Sequence, residues 1–213
     1  TRRYPLSISP SHGRQLALVA EDSDAFARSD YTGEVYTFDW REFVPLFGEN
    51  VFAWRFVEGW GTQAPRPFEL GGVHTANETS AIAAAVSTQT NEMLFNQREY
   101  AVRGYPRGLP QLTDRRMMLG SAEWRFPIRR IERGFMVPFP GGLDQLHGAV
   151  FVDSGAVWHD GSSPDKFYTG AGTEVSADLV LFYQIPLQLR AGYAHGFDTG
   201  GKDQVYLRLG ASF

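Results

Sequence analysis

The segment REYAVRGYPRG, residues 98–108, holds the side chain best placed for ionic recognition in this sequence. Its glycines and proline predict a loop, and Arg103 stands inside the cluster Val-Arg-Gly-Tyr. A guanidinium presents a planar fork of donors that suits carboxylates and phosphates. Most loop arginines are solvated, so the residues alone leave open whether Arg103 has a fixed partner.

No other residues show the spacing of an enzyme or a metal site. The five histidines, His12, His74, His147, His159 and His195, lack ligand spacing such as His-x3-His. Ser154 lies beside Asp153, but no histidine on its predicted face could serve as its base. We therefore expect no enzyme activity, no metal and no cofactor.

Composition and charge exclude several classes of protein. The 213 residues fit one domain, 1–213. The net charge of −4 gives no excess of basic residues for binding nucleic acid. The absence of cysteine excludes thiol chemistry and a disulfide framework. No apolar run reaches the roughly 18 residues of a transmembrane helix. No signal peptide is present, so we expect a mature or trimmed form.

Apolar and polar residues alternate in eight segments, which predicts antiparallel β-strands. The segments are 14–21, 35–41, 52–56, 118–126, 149–158, 173–181, 185–193 and 204–213. A ninth segment, 3–9, contains Pro5, which suits an edge strand or a lead-in, and we take 1–13 as the lead-in. Residues 61–111 form a long loop whose alanine-rich middle is compatible with a short helix.

The two faces of these strands predict an all-β transmembrane barrel of about eight antiparallel strands. The polar face carries large charged residues: Arg41, Arg55, Glu123, Arg125, Asp153, Glu174, Asp178, Arg190 and Arg208. Aromatic residues gather near strand ends, as in interfacial girdles, and the last strand alternates through Val205, Leu207 and Leu209 to a final outward Phe213. A soluble barrel or sandwich with the apolar face inside is the alternative.

Four motifs then occur in a characteristic order. They are FELGG at 68–72, VRGY at 102–105, EWRFPI at 123–128 and VFVDSGAVW at 150–158. With the terminal phenylalanine, they resemble the C-terminal barrel of the BamA-type bacterial surface antigen superfamily, which includes outer-membrane assembly factors and two-partner-secretion transporters. The resemblance covers about residues 68–213. It implies a location in the bacterial outer membrane. It also implies that the assembly machinery recognises a signal in the last strand, formed by Val205, Leu207, Leu209 and Phe213.

The resemblance also implies a partner for Arg103. In that family the Arg-Gly-Tyr/Phe loop folds into the lumen, and its arginine pairs with acidic residues on the following strands. In this chain those acceptors are Glu123 and Asp153, both on the predicted polar face. Gly104 would allow a close backbone approach, and Tyr105 would pack the loop tip.

Two features depart from the family. Residues 73–101 separate the Gly-Gly and Arg-Gly motifs, and the chain offers about eight strands, without POTRA domains, where family barrels have about sixteen. The interior of an eight-stranded barrel is filled by its own side chains, so the Arg103 loop would not fit inside. We expect either a homodimeric barrel, in which a second copy pairs both edges, or a closed small barrel with the loop over one mouth.

Three functions remain open from the sequence. The first is an assembly or translocation barrel in the outer-membrane lipid, acting on a polypeptide client. The second is a passive outer-membrane anchor or oligomerisation module for a partner or a propeller domain. The third is a small diffusion channel, which needs a continuous wet lumen.

Overall fold

The computed structural model describes residues 2–3, 10–22, 31–72, 100–136, 140–182 and 185–210. The strands in chain order are β1 (Arg2–Arg3), β2 (Pro10–Asp22), β3 (Glu34–Pro45), β4 (Val51–Gly61), β5 (Phe68–Glu69), β6 (Thr113–Asp114), β7 (Arg116–Phe135), β8 (Gly141–Trp158), β9 (Tyr168–Leu181), β10 (Ile185–Gly196) and β11 (Asp203–Gly210). A single 3₁₀ turn, Pro110–Leu112, precedes β6. In the part of the chain covered by these ranges, no helix is long and apolar enough to cross a membrane.

Eight long strands and the short β1 form one antiparallel sheet in the order β1-β2-β3-β4-β7-β8-β9-β10-β11, and β5 pairs with β6 separately. The prediction of an all-β antiparallel fold is confirmed, since each predicted segment overlaps one long strand. Within the described residues, β2 and β11 are not paired with each other. Closure of the sheet into a barrel is thus not observed in the described part of the chain.

Some predicted segments differ in extent from the structure or fall outside it. Of the predicted ninth strand, 3–9, only Arg3 is described; it belongs to β1, which pairs with the start of β2. β2 begins at Pro10, inside the predicted lead-in. β7 continues beyond Phe126 because register shifts next to Pro127 and Arg130 accommodate the proline within the ladder. Residues 73–99, with the suggested helix, lie outside the described residues.

The buried face of the sheet is the charged face. We call it the inner face, and it includes Glu123, Asp153 and Asp178, each at most 1% exposed. The opposite, outer face presents exposed large apolar side chains: Leu16, Leu18, Phe52, Trp124, Val150, Val152, Val175, Tyr193, Val205 and Leu207. This arrangement is the reverse of the usual soluble sheet, in which apolar residues point to the core.

An apolar cluster at one end of the inner face supports the long loop. It joins strand residues with loop residues: Val35, Val57, Phe68, Leu70, Val102, Tyr105, Leu112, Met117 and Leu119. Because this cluster is buried and includes Val102 and Tyr105, it fixes where residues 102–105 lie on the sheet.

Candidate functional site

Backbone hydrogen bonds place residues 102–105 against the inner face. The Leu70 N–H donates to Leu112 O at 2.9 Å, and the Val102 N–H donates to Leu70 O at 2.9 Å. The Gly72 N–H donates to Tyr105 O at 2.6 Å. These bonds hold residues 70–72 beside residues 102–112, and residues 102–105 therefore lie against the sheet.

Arg103 contacts carboxylates from three neighbouring strands. Its Nε lies 2.6 Å from Asp153 Oδ2 and its Nη2 lies 2.7 Å from Oδ1, a bidentate fork. Its Nη1 lies 3.0 Å from Glu123 Oε1 and 3.0 Å from Glu174 Oε1. We call Arg103, Glu123, Asp153 and Glu174 the Arg103 centre. It connects the loop to β7, β8 and β9.

The structure thus brings together the three residues singled out in the sequence, Arg103, Glu123 and Asp153. Their role in holding the loop stays a prediction. Glu174 was not expected as a partner, although alternation had placed it on the polar face. Its approach to Arg103 depends on how β8 and β9 are paired, and the sequence does not determine that register.

Further side chains balance the charge of the Arg103 centre. Arg125 contacts Glu123 at 2.8 Å, and Arg190 contacts Glu174 at 3.5 Å. The Ser121 hydroxyl donates to Asp153 Oδ1 at 2.6 Å. Three arginines thus face three carboxylates in a buried environment. Such a network is stabilising only while its members stay paired, because an isolated buried charge is strongly unfavourable.

Arg103 remains charged despite its burial. Its side chain is 7% exposed, and desolvation opposes the cation. The carboxylates of Asp153, Glu123 and Glu174 nevertheless raise the pKa of Arg103 well above its usual value. The guanidinium carbon also lies 3.3 Å from the centroid of the Phe151 ring, a cation–π contact. The loop therefore inserts a permanent positive charge into the inner face.

Glycines allow the loop backbone to approach the sheet. Gly104 has φ +96, and a Cβ there would meet the Gly196 nitrogen at 2.5 Å. A Cβ on Gly170 of β9 would collide with the Arg103 carbonyl oxygen. Any side chain at either position would push residues 103–104 off the strands, and Arg103 would lose its bidentate contact.

Tyr105 forms a second attachment, which we call the Tyr105 latch, to the turn between β10 and β11. Its hydroxyl donates to Thr169 O at 2.9 Å and accepts from the Asp198 N–H at 3.0 Å. Asp198 in turn contacts Lys166 Nζ at 2.9 Å. The hydrogen bond from Lys166 is the main cause that lowers the pKa of Asp198, whereas burial raises the pKa of Tyr105.

The remaining predicted residues lie elsewhere. Val205 and Leu207 are exposed on the outer face, and Leu209 pairs with Leu189 in the sheet. Phe213 lies outside the described residues. Their role as an assembly signal stays a prediction.

The residues considered for enzyme or metal chemistry make ordinary polar contacts. Ser154 Oγ lies 3.1 Å from Thr169 Oγ1. Asp178, Asp114 and Asp203 pair with His147, His159 and His195 respectively. Among the residues with described side chains, no group of three or more histidines and carboxylates could hold a metal ion; His74 lies outside them.

Neither a protein-family model, nor a curated protein, nor a solved structure matches this chain. The two faces of the sheet and the geometry around Arg103 are therefore the features that bear on function.

Proposed function

We propose that this chain forms a wall of an outer-membrane β-barrel of the assembly and translocation class, with the Arg103 loop held against its lumen side. The observation that carries the proposal is the inverted burial of the sheet. Asp153 is 1% exposed under the loop, whereas Leu18 and Val205 on the outer face are 73% and 83% exposed. A membrane barrel has this arrangement, because lipid replaces the apolar core.

The outer face is too apolar to be left in water. Its exposed side chains occur on strands across the whole sheet, from Leu18 on β2 to Leu207 on β11, whereas contiguous apolar patches on soluble proteins are small. Trp60 and Trp158 lie at the ends of β4 and β8, and Trp124 Nε1 donates to Asn50 Oδ1 in the turn between β3 and β4 at 3.0 Å. Tryptophans with a polar contact at one end are typical of the membrane interface.

Further strands are needed to close such a barrel. An open sheet edge in hydrocarbon leaves backbone groups without partners, which membrane proteins avoid. The Arg103 loop already occupies the inner face, and eight strands alone enclose little more than their own side chains. We propose that a second copy of the sheet supplies the other strands. A dimeric mass in detergent is the expected result, and a monomeric mass would favour a small barrel in which β2 closes on β11.

The Arg103 loop has a place in the proposed mechanism because it reaches an edge strand. The Arg103 centre connects the loop to β7, β8 and β9, and the Tyr105 latch connects it to the turn before β11. Docking of the loop therefore supports the strand at the open edge. An incoming polypeptide segment could pair with that edge by β-augmentation, with no covalent step.

The test is a client-folding assay in lipid vesicles. A urea-denatured outer-membrane barrel protein is diluted into vesicles that contain the wild type, Arg103→Ala or Arg116→Ala. Arg116 is the matched control, because its ion pair with Asp160 is exposed. We expect the wild type and Arg116→Ala to accelerate client folding and Arg103→Ala to lose the acceleration while still inserted. Equal acceleration by all three proteins would contradict a role for the loop.

A passive anchor is the second candidate, and the pairing of the inner-face arginines with carboxylates favours it. Arg103, Arg125 and Arg190 each have carboxylate partners, as expected of a permanently filled interior. In that case the wild type inserts into vesicles but leaves the rate of client folding unchanged.

A further inference from the structure

Strand β7 extends beyond its neighbour β4 at the end of the sheet that carries the turn between β3 and β4. The ladder between β4 and β7 ends where Val51 pairs with Arg125, whereas β7 continues to Phe135 and pairs there with β8. We call residues 126–135 the β7 extension. Its sequence, FPIRRIERGF, contains three arginines and one acidic residue.

One of the three arginines, Arg130, belongs to the inner face and is paired. It lies opposite Gln145 of β8, which is buried. Its Nη2 lies 2.7 Å from Glu49 Oε1, and its Nε lies 3.7 Å from Glu132 Oε1. The acidic residue of the extension is therefore directed to Arg130.

The other two arginines, Arg129 and Arg133, belong to the outer face. They lie opposite Leu146 and Leu143 of β8. These two leucines pair with positions of β9 that are two residues apart and that share a face with the exposed Val175. Since two positions on a strand span about 7 Å, the two guanidinium groups start from neighbouring points of the outer face.

Neither outer-face arginine is compensated by a carboxylate. Arg129 and Arg133 are both exposed, and no ion pair joins either of them to a residue that the structure describes. Arg14, another outer-face arginine, differs because Glu42 holds it at 2.6 Å. The β7 extension thus presents two adjacent positive charges that are available to an anion.

The side chains that precede the arginines on β7 place them at the border of the apolar face. Trp124 and Phe126 lie on the outer face with ring centroids 5.6 Å apart, and the Trp124 indole donates to Asn50 in the neighbouring turn. Toward its end, the outer face of β7 therefore changes from apolar to aromatic to basic. In a bilayer, hydrocarbon, interface and charged headgroups follow in this order.

We propose that Arg129 and Arg133 together bind the phosphate of one anionic phospholipid, with its acyl chains over Leu143 and Leu146. This inference rests on the proposed membrane location of the outer face. A guanidinium suits phosphate because it donates two parallel hydrogen bonds. Two uncompensated positive charges favour a lipid with a net negative charge over a zwitterionic one.

An extended acidic peptide fits the β7 extension less well. Such a peptide would have to pair with the edge of β7 that β4 leaves uncovered, and register shifts occur there between Pro127 and Arg129 and between Arg130 and Arg133. Bulges and charged side chains are features that protect a strand edge from further pairing. The leucines beside the two arginines instead favour a ligand with an apolar part.

Selective quenching of a fluorescent label tests the proposal in the whole chain. Ile128→Cys places a bimane label beside the arginines, and Val205→Cys places it on β11, at another exposed outer-face position. Phosphatidylcholine vesicles contain a small fraction of phosphatidylglycerol or phosphatidylcholine with a nitroxide on the acyl chain. At position 128 we expect stronger quenching by phosphatidylglycerol, equivalent to local enrichment of about fivefold or more. At position 205 the two probes should quench equally.

Substitution of the arginines connects the selectivity to the site. The double variant Arg129→Gln, Arg133→Gln should lose the preference for phosphatidylglycerol at position 128. It should still insert, because neither side chain pairs with the described part of the chain, and vesicle flotation measures this. Arg116→Gln is the matched control, since Arg116 is paired with Asp160, and it should keep the preference. A preference that persists in the double variant would overturn the assignment.

The remaining outcomes separate this inference from the proposed function. Equal quenching of the wild type by both probes at position 128 would show that the outer face is in lipid but that the arginines select no headgroup, so only this inference would be wrong. If neither position is quenched, the outer face is not in lipid, and the proposed function fails as well. A preference that inorganic phosphate abolishes would assign the arginines to a soluble anion and contradict the lipid.

Discussion

Two arginine–carboxylate centres lie on the same inner face, and they differ in what covers them. At the Arg103 centre, a loop arginine reaches carboxylates on three strands, and the side chains of Arg103 and Asp153 are 7% and 1% exposed. At the other, the Asp39 centre, Asp39 is held by Arg41 and Arg55 of β3 and β4 at 2.8 and 2.7 Å. Its side chains are 13–23% exposed. The chemistry is shared, but the loop supplies an ion-pair partner only to the first centre. At the second centre the loop contributes the Tyr100 ring, whose centroid lies 5.4 Å from the Arg55 guanidinium carbon.

The difference shows how a similar ion pair can have two roles. Arg55 joins β4 to Asp39 on β3, two strands that backbone hydrogen bonds already hold together, and Arg41 lies on the same strand as Asp39. Arg103 instead joins a long loop to strands far along the chain, so its contacts replace backbone pairing. Partly exposed pairs contribute about 1 kcal/mol or less, whereas breaking a buried pair costs about 3–5 kcal/mol.

The largest expected effect comes from Gly104→Val. The substitution places a branched side chain at φ +96 against the backbone of Gly196, so both the Arg103 centre and the Tyr105 latch should be lost. We expect a fall in the free energy of unfolding above the about 3–5 kcal/mol of one broken buried pair, measured by urea titration in detergent. Gly108→Val is the control, since Gly108 also has positive φ, +73, but no atom lies within 4 Å of its Cβ.

Arg103→Ala compared with Arg41→Ala tests the two centres against each other. Removal of Arg103 takes away the cation that Asp153 contacts, whereas Glu174 keeps Arg190 at 3.5 Å, and we expect a loss of about 3–5 kcal/mol. Removal of Arg41 leaves Asp39 paired with Arg55, and we expect about 1 kcal/mol or less. Urea midpoints of the two variants measure the difference. Similar losses in the free energy of unfolding would show that burial beneath the loop does not increase the contribution of an ion pair to stability.

Tyr105→Phe isolates the second attachment of the loop. It keeps the ring in the apolar cluster but removes the hydroxyl that bonds Thr169 and Asp198. We expect a loss of about 1–3 kcal/mol, because the Asp198 N–H loses its partner, although Thr169 O keeps the Phe197 N–H at 2.9 Å. Limited proteolysis of the loop and thermal midpoints would report it. Tyr168→Phe is the matched control, since the Tyr168 ring packs edge-on against Tyr105 and its change should have little effect.

The smallest effect is a pH dependence at Asp198. Its pKa is lowered in the folded state, mainly by the hydrogen bond from Lys166. Its contribution to stability is therefore complete above the unfolded value of about 3.9 and is lost as pH falls through the folded pKa. We expect the difference in thermal midpoint between the wild type and Asp198→Asn to shrink as pH falls from 6 to about 3. A difference that stays constant over this range would exclude the carboxylate as its source.

Alternation was sufficient to predict the eight long strands and the division of residues between their faces. Charged residues such as Glu123 and Asp153 lie at odd spacing from the apolar residues of the opposite face, and this local pattern is present in the structure. The motif at 102–105 directed attention to Arg103 through its family resemblance, because the residues alone left the partner of this arginine open.

Other features depend on cross-strand register or on distant contacts. Glu174 joins Arg103 only because of how β8 pairs with β9, a pairing that shifts between Leu143 and Gln145. The Tyr105 latch connects residues 93 positions apart, and no local pattern encodes it. On the outer face, Gly120 and Ala122 of β7 lie beside Phe56 and Trp54 of β4 and form an apolar groove with them. This neighbourhood depends on how the two strands pair, and the sequence of one strand does not show it.

The most direct test of the central claim is a cysteine scan of the protein in vesicles, which the absence of native cysteine makes clean. Single cysteines replace outer-face residues Val150, Val175 and Leu207, and Ser162 in an exposed turn serves as the accessible control. The account predicts that a water-soluble maleimide labels Ser162→Cys rapidly and the three outer-face variants slowly, until detergent dissolves the vesicles. Rapid labelling of all four variants in intact vesicles would show that the apolar face is not in lipid, and the account would be wrong.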